Sequence, residues 1–217
     1  MLISENLAYK FADGLQIEFP NLNAQVGEKI LITGSSGSGK STFLNLIAGA
    51  IKLQTGKLVF DGFNYEAQKS YDIDKFRAEK IGYVFQTLNL IPFLSVFENI
   101  SLSIKFSKRR AAKVSNVKDE VIRLLLSLGL EENILEKKTS NLSIGQQQRV
   151  AVCRALLGSP KLFLADEPTS ALDNDSSKKF IKELFQTFDK KKQIIIMVSH
   201  DLRLADLFDR VINFNNV

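Results

Sequence analysis

The segment GSSGSGKS at residues 34–41 places small, flexible residues and one charged amine directly after the apolar stretch KILIT. It fits the phosphate-binding pattern G-x-x-x-x-G-K-[ST] from Gly34 to Ser41. Glycines let backbone N–H groups converge on an anion, and a following helix adds the positive end of its dipole. In this pattern Lys40 reaches the β- and γ-phosphates of a nucleotide and the Ser41 hydroxyl holds Mg²⁺. The candidate nucleotide-binding residues are Gly34, Ser35, Ser36, Gly37, Ser38, Gly39, Lys40, Ser41 and Thr42.

A pair of acidic residues follows a second apolar stretch, LFLA at residues 162–165. Asp166 ends this predicted strand, where its carboxylate can hold Mg²⁺ directly or through water, opposite the phosphate loop. Glu167 comes next, and we expect its side chain to point towards the γ-phosphate and polarise the attacking water. An acidic pair alone is more often a surface feature. Beside a phosphate loop it predicts a nucleotide-hydrolysing site.

Short strands alternate with helical segments around these motifs. The stretches LQIEF, KILIT, GKLVFDG, IGYVFQ, KLFLAD, QIIIMVSH and RVINF have the pattern of strands. The segments STFLNLIAGA and NDSSKKFIKELFQTF have helical spacing. From about Thr87 to Ser159 three stretches have helical signals: SVFENISLSI, VKDEVIRLLLSLGL and SIGQQQRVAVCRALLG. We therefore expect a parallel α/β core interrupted by a helical insertion.

Composition narrows the class of protein. The 217 residues are 45% hydrophobic and 24% charged, and the apolar runs are far shorter than a bilayer requires. Cys153 is the single cysteine, which excludes an internal disulfide and favours a reducing cytosol. The formal net charge of +5 is most simply a solubility feature. We expect the basic segment Lys105–Lys113 to be a solvated face, with contact to lipid headgroups or a partner as the alternative.

Three further stretches carry a family resemblance: YVFQ, which ends at Gln86, LSIGQQQR at residues 142–149, and VSHD, which contains His200, the only histidine. With GSSGSGKST and LADEPTSALD, in this order and spacing, they resemble the ATP-binding cassette (ABC) ATPases over essentially the whole chain. The resemblance implies an α/β fold: a P-loop NTPase core with a mainly parallel sheet, an N-terminal antiparallel β subdomain and an inserted α-helical subdomain. In a single domain spanning 1–217, it assigns 1–86 and 160–217 to the core and 87–159 to the insertion.

The resemblance also implies roles for residues within one cassette. Gln86 matches a Mg²⁺ ligand and sensor that links the core to the helical block, so the metal set becomes Ser41, Gln86 and Asp166. His200 matches a histidine that touches the γ-phosphate and helps to organise attack. The catalytic set becomes Glu167, His200 and Lys40, acting on ATP with Mg²⁺.

Other matching residues act across a dimer, because in this family two cassettes pack head to tail around two ATP molecules. Ser143 and Gly145 match residues that contact the γ-phosphate bound by the opposite subunit, and Gln146 belongs to the same nucleotide-binding motif. Asp173 matches an aspartate that acts across the dimer. The third position of the usual LSGGQ is Ile144 here. A branched side chain needs room and disfavours positive φ, which predicts weaker closure or slower hydrolysis as an alternative to full function.

The aromatic residue that stacks on adenine in relatives lies in the first strand. Within LAYKFADG the family spacing favours Phe11, with Tyr9 as the second choice and core packing as the alternative for either.

The stretch FQTLNLIPFLSVFENI, together with LADEPTSALD, looks most like the cassettes of the lipoprotein-release, macrolide-export and cell-division group. That resemblance implies a homodimer or heterodimer of cassettes on the cytoplasmic face of the membrane. The cassettes would work with separate integral membrane permease subunits docked near the Gln86–Asn99 segment and the helical block. Amino-acid importer cassettes share much of the same sequence, so import remains an alternative.

We expect no specific nucleic-acid partner, because ABC ATPases that act on ribosomes or nucleic acid generally carry two cassettes or coiled-coil arms. The LSIGQ motif argues against a phosphate-loop kinase.

Overall fold

The structure, a computed structural model, describes residues 1–214. Residues 215–217, the end of the predicted core segment 160–217, lie outside the described residues. Within residues 1–214 the strands are β1 (Leu2–Lys10), β2 (Gln16–Glu18), β3 (Leu22–Ala24), β4 (Lys29–Thr33), β5 (Thr55–Phe60), β6 (Phe63–Asn64), β7 (Ile81–Val84), β8 (Leu162–Asp166), β9 (Ile194–Val198) and β10 (Arg210–Asn213). The α-helices are α1 (Lys40–Ala48), α2 (Ser70–Lys80), α3 (Val96–Lys105), α4 (Lys108–Ala111), α5 (Val117–Ser127), α6 (Ile144–Leu156) and α7 (Asn174–Gln186).

The strands form two sheets of different type. One is antiparallel, with the order β2-β1-β5-β6 and with β3 also paired to β1. The other has the order β10-β4-β9-β8-β7, and every pairing in it is parallel. The predicted fold class, a mainly parallel α/β core with an antiparallel N-terminal part and a helical insertion, is confirmed. The residue boundaries of its parts stay a prediction.

Two buried clusters lie on opposite faces of the parallel sheet, because successive side chains of a strand point to opposite sides. Ile30 and Ile32 pack with α1 and the antiparallel sheet. Leu31, between them, packs into the cluster that holds α3, α5, α6 and α7. Burial on both faces explains why these parallel strands are continuous apolar runs in the sequence. Within residues 1–214 no helix is both long enough and apolar enough to cross a membrane.

Some elements have no clear signal in the sequence. Helix α2 buries only Phe76, so it lacks the apolar stripe that predicts an amphipathic helix. Strands β3 and β6 have three and two residues, too few to show an alternating pattern. The sequence alone therefore does not predict these elements, because contacts with distant parts of the folded chain determine them.

At Gly82 the backbone of α6 closely approaches the parallel sheet. A Cβ atom at Gly82 would lie 2.3 Å from the carbonyl oxygen of Ala155. We expect Gly82→Ala to lower the free energy of unfolding by about 1–3 kcal/mol, since backbone must move to admit the methyl group. Chemical denaturation followed by circular dichroism measures this.

Gly145→Ala is the matched control. A Cβ at Gly145, inside α6, would meet only Leu172 Cδ2, at 3.4 Å, and Ala for Gly in a helix stabilises by roughly 0.4–1 kcal/mol. Equal stabilities for the two variants would contradict the close-approach interpretation.

Candidate functional site

A cleft of about 570 Å³ opens at the carboxyl ends of β4, β8 and β9, the edge where parallel α/β sheets bind ligands. The phosphate loop follows β4, the acidic pair follows β8, and the single histidine follows β9. The predicted site residues that line the cleft are Phe11, Gly34, Ser36, Gly37, Gly39, Lys40, Ser41, Thr42, Gln86, Asp166, Glu167 and His200. Asp13 and Ser170 also line it and had no predicted role.

The phosphate loop wraps around the amine of Lys40. Lys40 is the first residue of α1, and its Nζ donates to the carbonyl oxygens of Gly34 at 3.0 Å and Ser35 at 2.7 Å. Ser38 Oγ lies 3.5 Å from the same nitrogen. Gly39, the N-cap of α1, has φ 86, where a side chain would be strained and its Cβ would lie 3.1 Å from the Phe19 ring. A charged amine and a helix N-terminus therefore meet at one end of the cleft.

The Asp166 carboxylate lies at the end of β8 against the phosphate loop. Burial raises the pKa of Asp166, while a hydrogen bond from Ser41 and the charge of Lys40 act in the opposite direction. Asp166 Oδ1 is buried and has no hydrogen-bond partner among the described residues. An oxygen ligand without a partner, beside a serine hydroxyl and with the Gln86 amide on the same cleft, fits the hard oxygen-donor set that Mg²⁺ takes.

Glu167 and His200 form a close pair at the cleft. Glu167 has a left-handed backbone with φ 51, and its N–H donates to the Val198 carbonyl at 3.0 Å, which joins the ends of β8 and β9. Its Oε2 lies 2.9 Å from His200 Nδ1. The Glu167 side chain is 12% exposed and that of His200 is 71% exposed. A largely enclosed carboxylate oriented by an accessible imidazole is suited to act as a general base on water.

The two candidate adenine-binding aromatics differ in position. Phe11 is half-buried and lines the cleft. Tyr9 packs edge-on against Phe11, with ring centroids 5.0 Å apart, and contacts the hydrophobic core. This geometry favours Phe11 as the stacking residue.

Ser35 and Ser38 belong to the phosphate loop but are not among the residues that line the cleft. The other predicted residues lie away from the cleft, at the starts of two helices. Ser143 is the N-cap of α6 and forms a capping box with Gln146, and Gly145 is in the first turn. Asp173 is the N-cap of α7 and accepts from the N–H groups of Asp175 and Ser176. Ile144 begins α6, is 63% exposed and is absent from the residues with positive φ. The backbone at position 144 therefore does not require positive φ. Weaker closure or slower hydrolysis caused by Ile144 stays a prediction.

The family comparison agrees with this geometry. The sequence model of the family described as "ABC transporter" matches residues 18–170, most of the chain. The chain belongs to the ABC transporter family. MJ0796, an ABC transporter ATP-binding protein of Methanocaldococcus jannaschii, is 38% identical over 192 residues, which cover 88% of this chain and 82% of that protein. HrtA of Staphylococcus aureus, named as a hemin import ATP-binding protein, is 33% identical over 222 residues, 99% of this chain and 97% of HrtA.

Solved structures of ABC cassettes have the same fold. The dimeric post-hydrolysis state of MJ0796 with ADP and phosphate matches with a TM-score of 0.88 and 35% identity, covering 100% of this chain and 95% of that one. The cbiO1 protein of Clostridium perfringens, part of the transporter complex cbiONQ, matches with a TM-score of 0.78 and 28% identity over 98% of this chain and 83% of its own. This chain is the ATP-binding subunit of an ABC transporter and an ATPase.

Arg154 is a residue of this ABC cassette that the sequence did not single out. It projects from α6, and its guanidinium donates to the carbonyl oxygens of Leu88 and Asn89, each at 2.6 Å. Both acceptors have left-handed backbones, with φ 58 and 47, and lie two and three residues after Gln86. Arg154 therefore ties the helix that begins at the signature motif to the segment that follows Gln86. Arg154 and its two acceptors are 65 and 66 residues apart, and only the folded structure brings them together. A single sequence therefore gives no signal for this contact.

We expect Arg154→Ala to loosen this segment. Hydrogen bonds to charged groups contribute roughly 1.5–3 kcal/mol each, so hydrogen exchange in residues 85–91 should accelerate by about tenfold or more. Mass spectrometry of peptides covering residues 85–91 measures the exchange. Arg154→Lys, which keeps the charge but loses the planar fork, should give an intermediate rate. Unchanged exchange in Arg154→Ala would contradict this role.

Proposed function

We propose that this cassette dimerises when it binds ATP and uses hydrolysis to move a separate integral membrane permease subunit from the cytoplasmic face of the membrane, in export, lipoprotein release or mechanotransmission. The stretch FQTLNLIPFLSVFENI supports this subgroup. An exposed aromatic groove beside Gln86, at the border between the parallel sheet and the helical insertion, is the observation that carries the membrane-partner proposal.

The groove has a volume of about 340 Å³ and is lined by Tyr83, Phe85 and Phe106 among others. Phe106, at the end of α3, is 76% exposed and lies in one groove with the half-buried rings of Tyr83 and Phe85. Apolar side chains gathered on one surface are typical of interaction sites, whereas single exposed ones are not. Arg154 lines the same groove. A membrane subunit seated here would contact both the segment after Gln86 and the helix that begins at the signature motif.

Hydrolysis proceeds by in-line attack of a water oxygen on the γ-phosphorus. Glu167 accepts a proton from that water, His200 holds Glu167 and contacts the γ-phosphate, and the bond from the γ-phosphorus to the bridging oxygen breaks. Lys40 and the loop N–H groups stabilise the charge on the phosphates. Ser41, Gln86 and Asp166 would hold Mg²⁺, which when bound neutralises phosphate charge. Phe11 stacks on the adenine.

The exposed first turn of α6 completes the site of a second protomer. Ser143, Gly145 and Gln146 would meet the γ-phosphate held by the partner cassette, with the N-terminus of a 13-residue helix directed at it. Asp173 would act across the same interface. Loss of the γ-phosphate removes this contact, and the dimer opens.

Purification of tagged Glu167→Gln protein with ATP, from mild-detergent extracts of its own cells, tests the proposal by mass spectrometry of the bound proteins. A partner with a few membrane spans and a large extracytoplasmic domain is expected. A many-span partner with a solute-binding protein would establish the second candidate, an importer subunit, which the identity to HrtA favours. Ribosomes or nucleic acid without a membrane partner would contradict both.

The groove itself is tested in the same purification. Phe106→Ser should reduce recovery of the membrane subunit. Leu126→Ser, which removes a 57% exposed side chain of α5 outside the groove, should not. Equal recovery with both variants would place the contact elsewhere.

A further inference from the structure

A second cavity, of about 630 Å³, lies at the other end of the strands of the parallel sheet, where β8 and β9 begin. Its lining includes Lys161 and Ile194, at the amino ends of β8 and β9, whereas the ATP cleft lies at their carboxyl ends. Five residues of strand at about 3.3 Å each separate the two places by roughly 16 Å. The function proposed above makes no use of this cavity.

The lining combines an apolar floor with a lysine rim. Val26, Phe60 and Ile194 supply apolar surface. The rim carries four lysines, Lys113, Lys161, Lys191 and Lys192. Small-molecule sites are typically pockets of roughly 300–1,000 Å³ that combine apolar surface with a few convergent polar groups.

The positive charge of the rim exceeds the negative charge within it. The carboxylates on the lining belong to Asp61 and Asp189. Asp61 already binds Lys161 at 2.7 and 2.9 Å and Lys80 at 2.8 Å, and Asp189 binds Lys192 at 3.3 Å. The two aspartates therefore cannot neutralise the remaining lysines.

Lys113 lies on the rim among these positive charges. Its Nζ donates to the Ser159 carbonyl at 2.7 Å, a neutral partner. Burial lowers the pKa of the Lys113 amine, and the nearby charges of Arg110, Lys80, Lys161 and Lys192 lower the pKa further. An anion in the cavity would relieve this repulsion.

We propose that this cavity is a second ligand site, which binds a phosphate group carried on an apolar or aromatic body. Lysine amines bind phosphate as flexible point charges, and the apolar floor receives the attached body, which inorganic phosphate lacks. A soluble organic phosphate and the headgroup end of an anionic lipid share this chemistry.

The test titrates the intact protein, with saturating ADP occupying the ATP cleft, against naphthyl phosphate and against vesicles of phosphatidylcholine with or without phosphatidylglycerol.

The double variant Lys113→Gln/Lys191→Gln removes two rim charges and leaves the lysine partners of Asp61 and Asp189 in place. It should weaken binding by at least about tenfold, since contacts to charged groups contribute roughly 1.5–3 kcal/mol each. Val26→Glu adds a negative charge at a 48% exposed position and should abolish binding. Lys118→Gln/Lys182→Gln removes two exposed lysines outside the cavity and is the charge-matched control.

Saturable binding of naphthyl phosphate that these variants lose and the control keeps supports a soluble ligand. Binding confined to phosphatidylglycerol vesicles, with the same dependence on the variants, supports a lipid headgroup. The proposal is overturned if neither probe binds, if the control loses as much binding as the cavity variants, or if only an acidic peptide such as polyglutamate binds.

Discussion

Glu167→Gln should leave ATP binding intact and lower steady-state hydrolysis at least about a hundredfold, because general-base catalysis contributes roughly 10²–10⁴ in rate. The substitution keeps the shape of the side chain and an oxygen that His200 can contact, but it removes the carboxylate that accepts the proton. Nucleotide affinity depends mainly on Lys40 and the loop, which the change does not touch. Phosphate release measures turnover, and fluorescent ATP analogues measure binding.

The same variant should accumulate an ATP-bound dimer, visible by size-exclusion chromatography with light scattering, since the γ-phosphate that bridges the protomers is no longer removed. Glu66→Gln, at an exposed position remote from the cleft, is the matched control and should behave as the wild type. Undiminished hydrolysis by Glu167→Gln would assign the general base elsewhere. A dimer that requires ADP would contradict closure by ATP.

The candidate site could be predicted where chemistry is local in sequence. The phosphate loop, the acidic pair and the histidine each end an apolar strand, and parallel strands bring their carboxyl ends to one edge. The roles of Ser143 and Asp173 rest on the family resemblance and stay predictions, because one chain holds only half of the interface in which they would act. Arg154 had no local signal, since its acceptors are backbone carbonyls and any residue types could supply them.

The elements of the fold, like the site residues, could be predicted where the sequence signal is local. Strands such as β9 were predicted because burial on both faces leaves a run of five apolar residues, IIIMV. Helix α2 was not, because it fully buries only Phe76 and its other residues are mostly polar, so no apolar stripe marks it in the sequence. The cavity beyond β8 and β9 shows the limit most clearly: Lys113 and Lys161 are 48 positions apart, and only the fold makes them neighbours.

Lys40→Ala should weaken ATP and ADP binding at least about a hundredfold. Lys40 is 8% exposed, and the carbonyl oxygens of Gly34 and Ser35 hold its amine inside the phosphate loop. Charged hydrogen bonds contribute roughly 1.5–3 kcal/mol each, and two of them to phosphate oxygens account for the loss. Isothermal titration with ADP measures it. Lys52→Ala, an exposed lysine just beyond α1, is the matched control and should bind normally.

Thermal unfolding separates lost binding from lost folding. Alanine favours helices at position 40, so the variant should remain folded without nucleotide even though two hydrogen bonds within the loop are gone. At an ADP concentration about a hundred times the wild-type Kd, bound ligand adds about 2.7 kcal/mol to the stability of the wild type, whereas a hundredfold weaker variant gains only about 0.4 kcal/mol. The wild type should therefore show a clear rise in Tm with ADP and Lys40→Ala almost none. An equal rise in both would mean that Lys40 supports the loop without contributing to phosphate affinity.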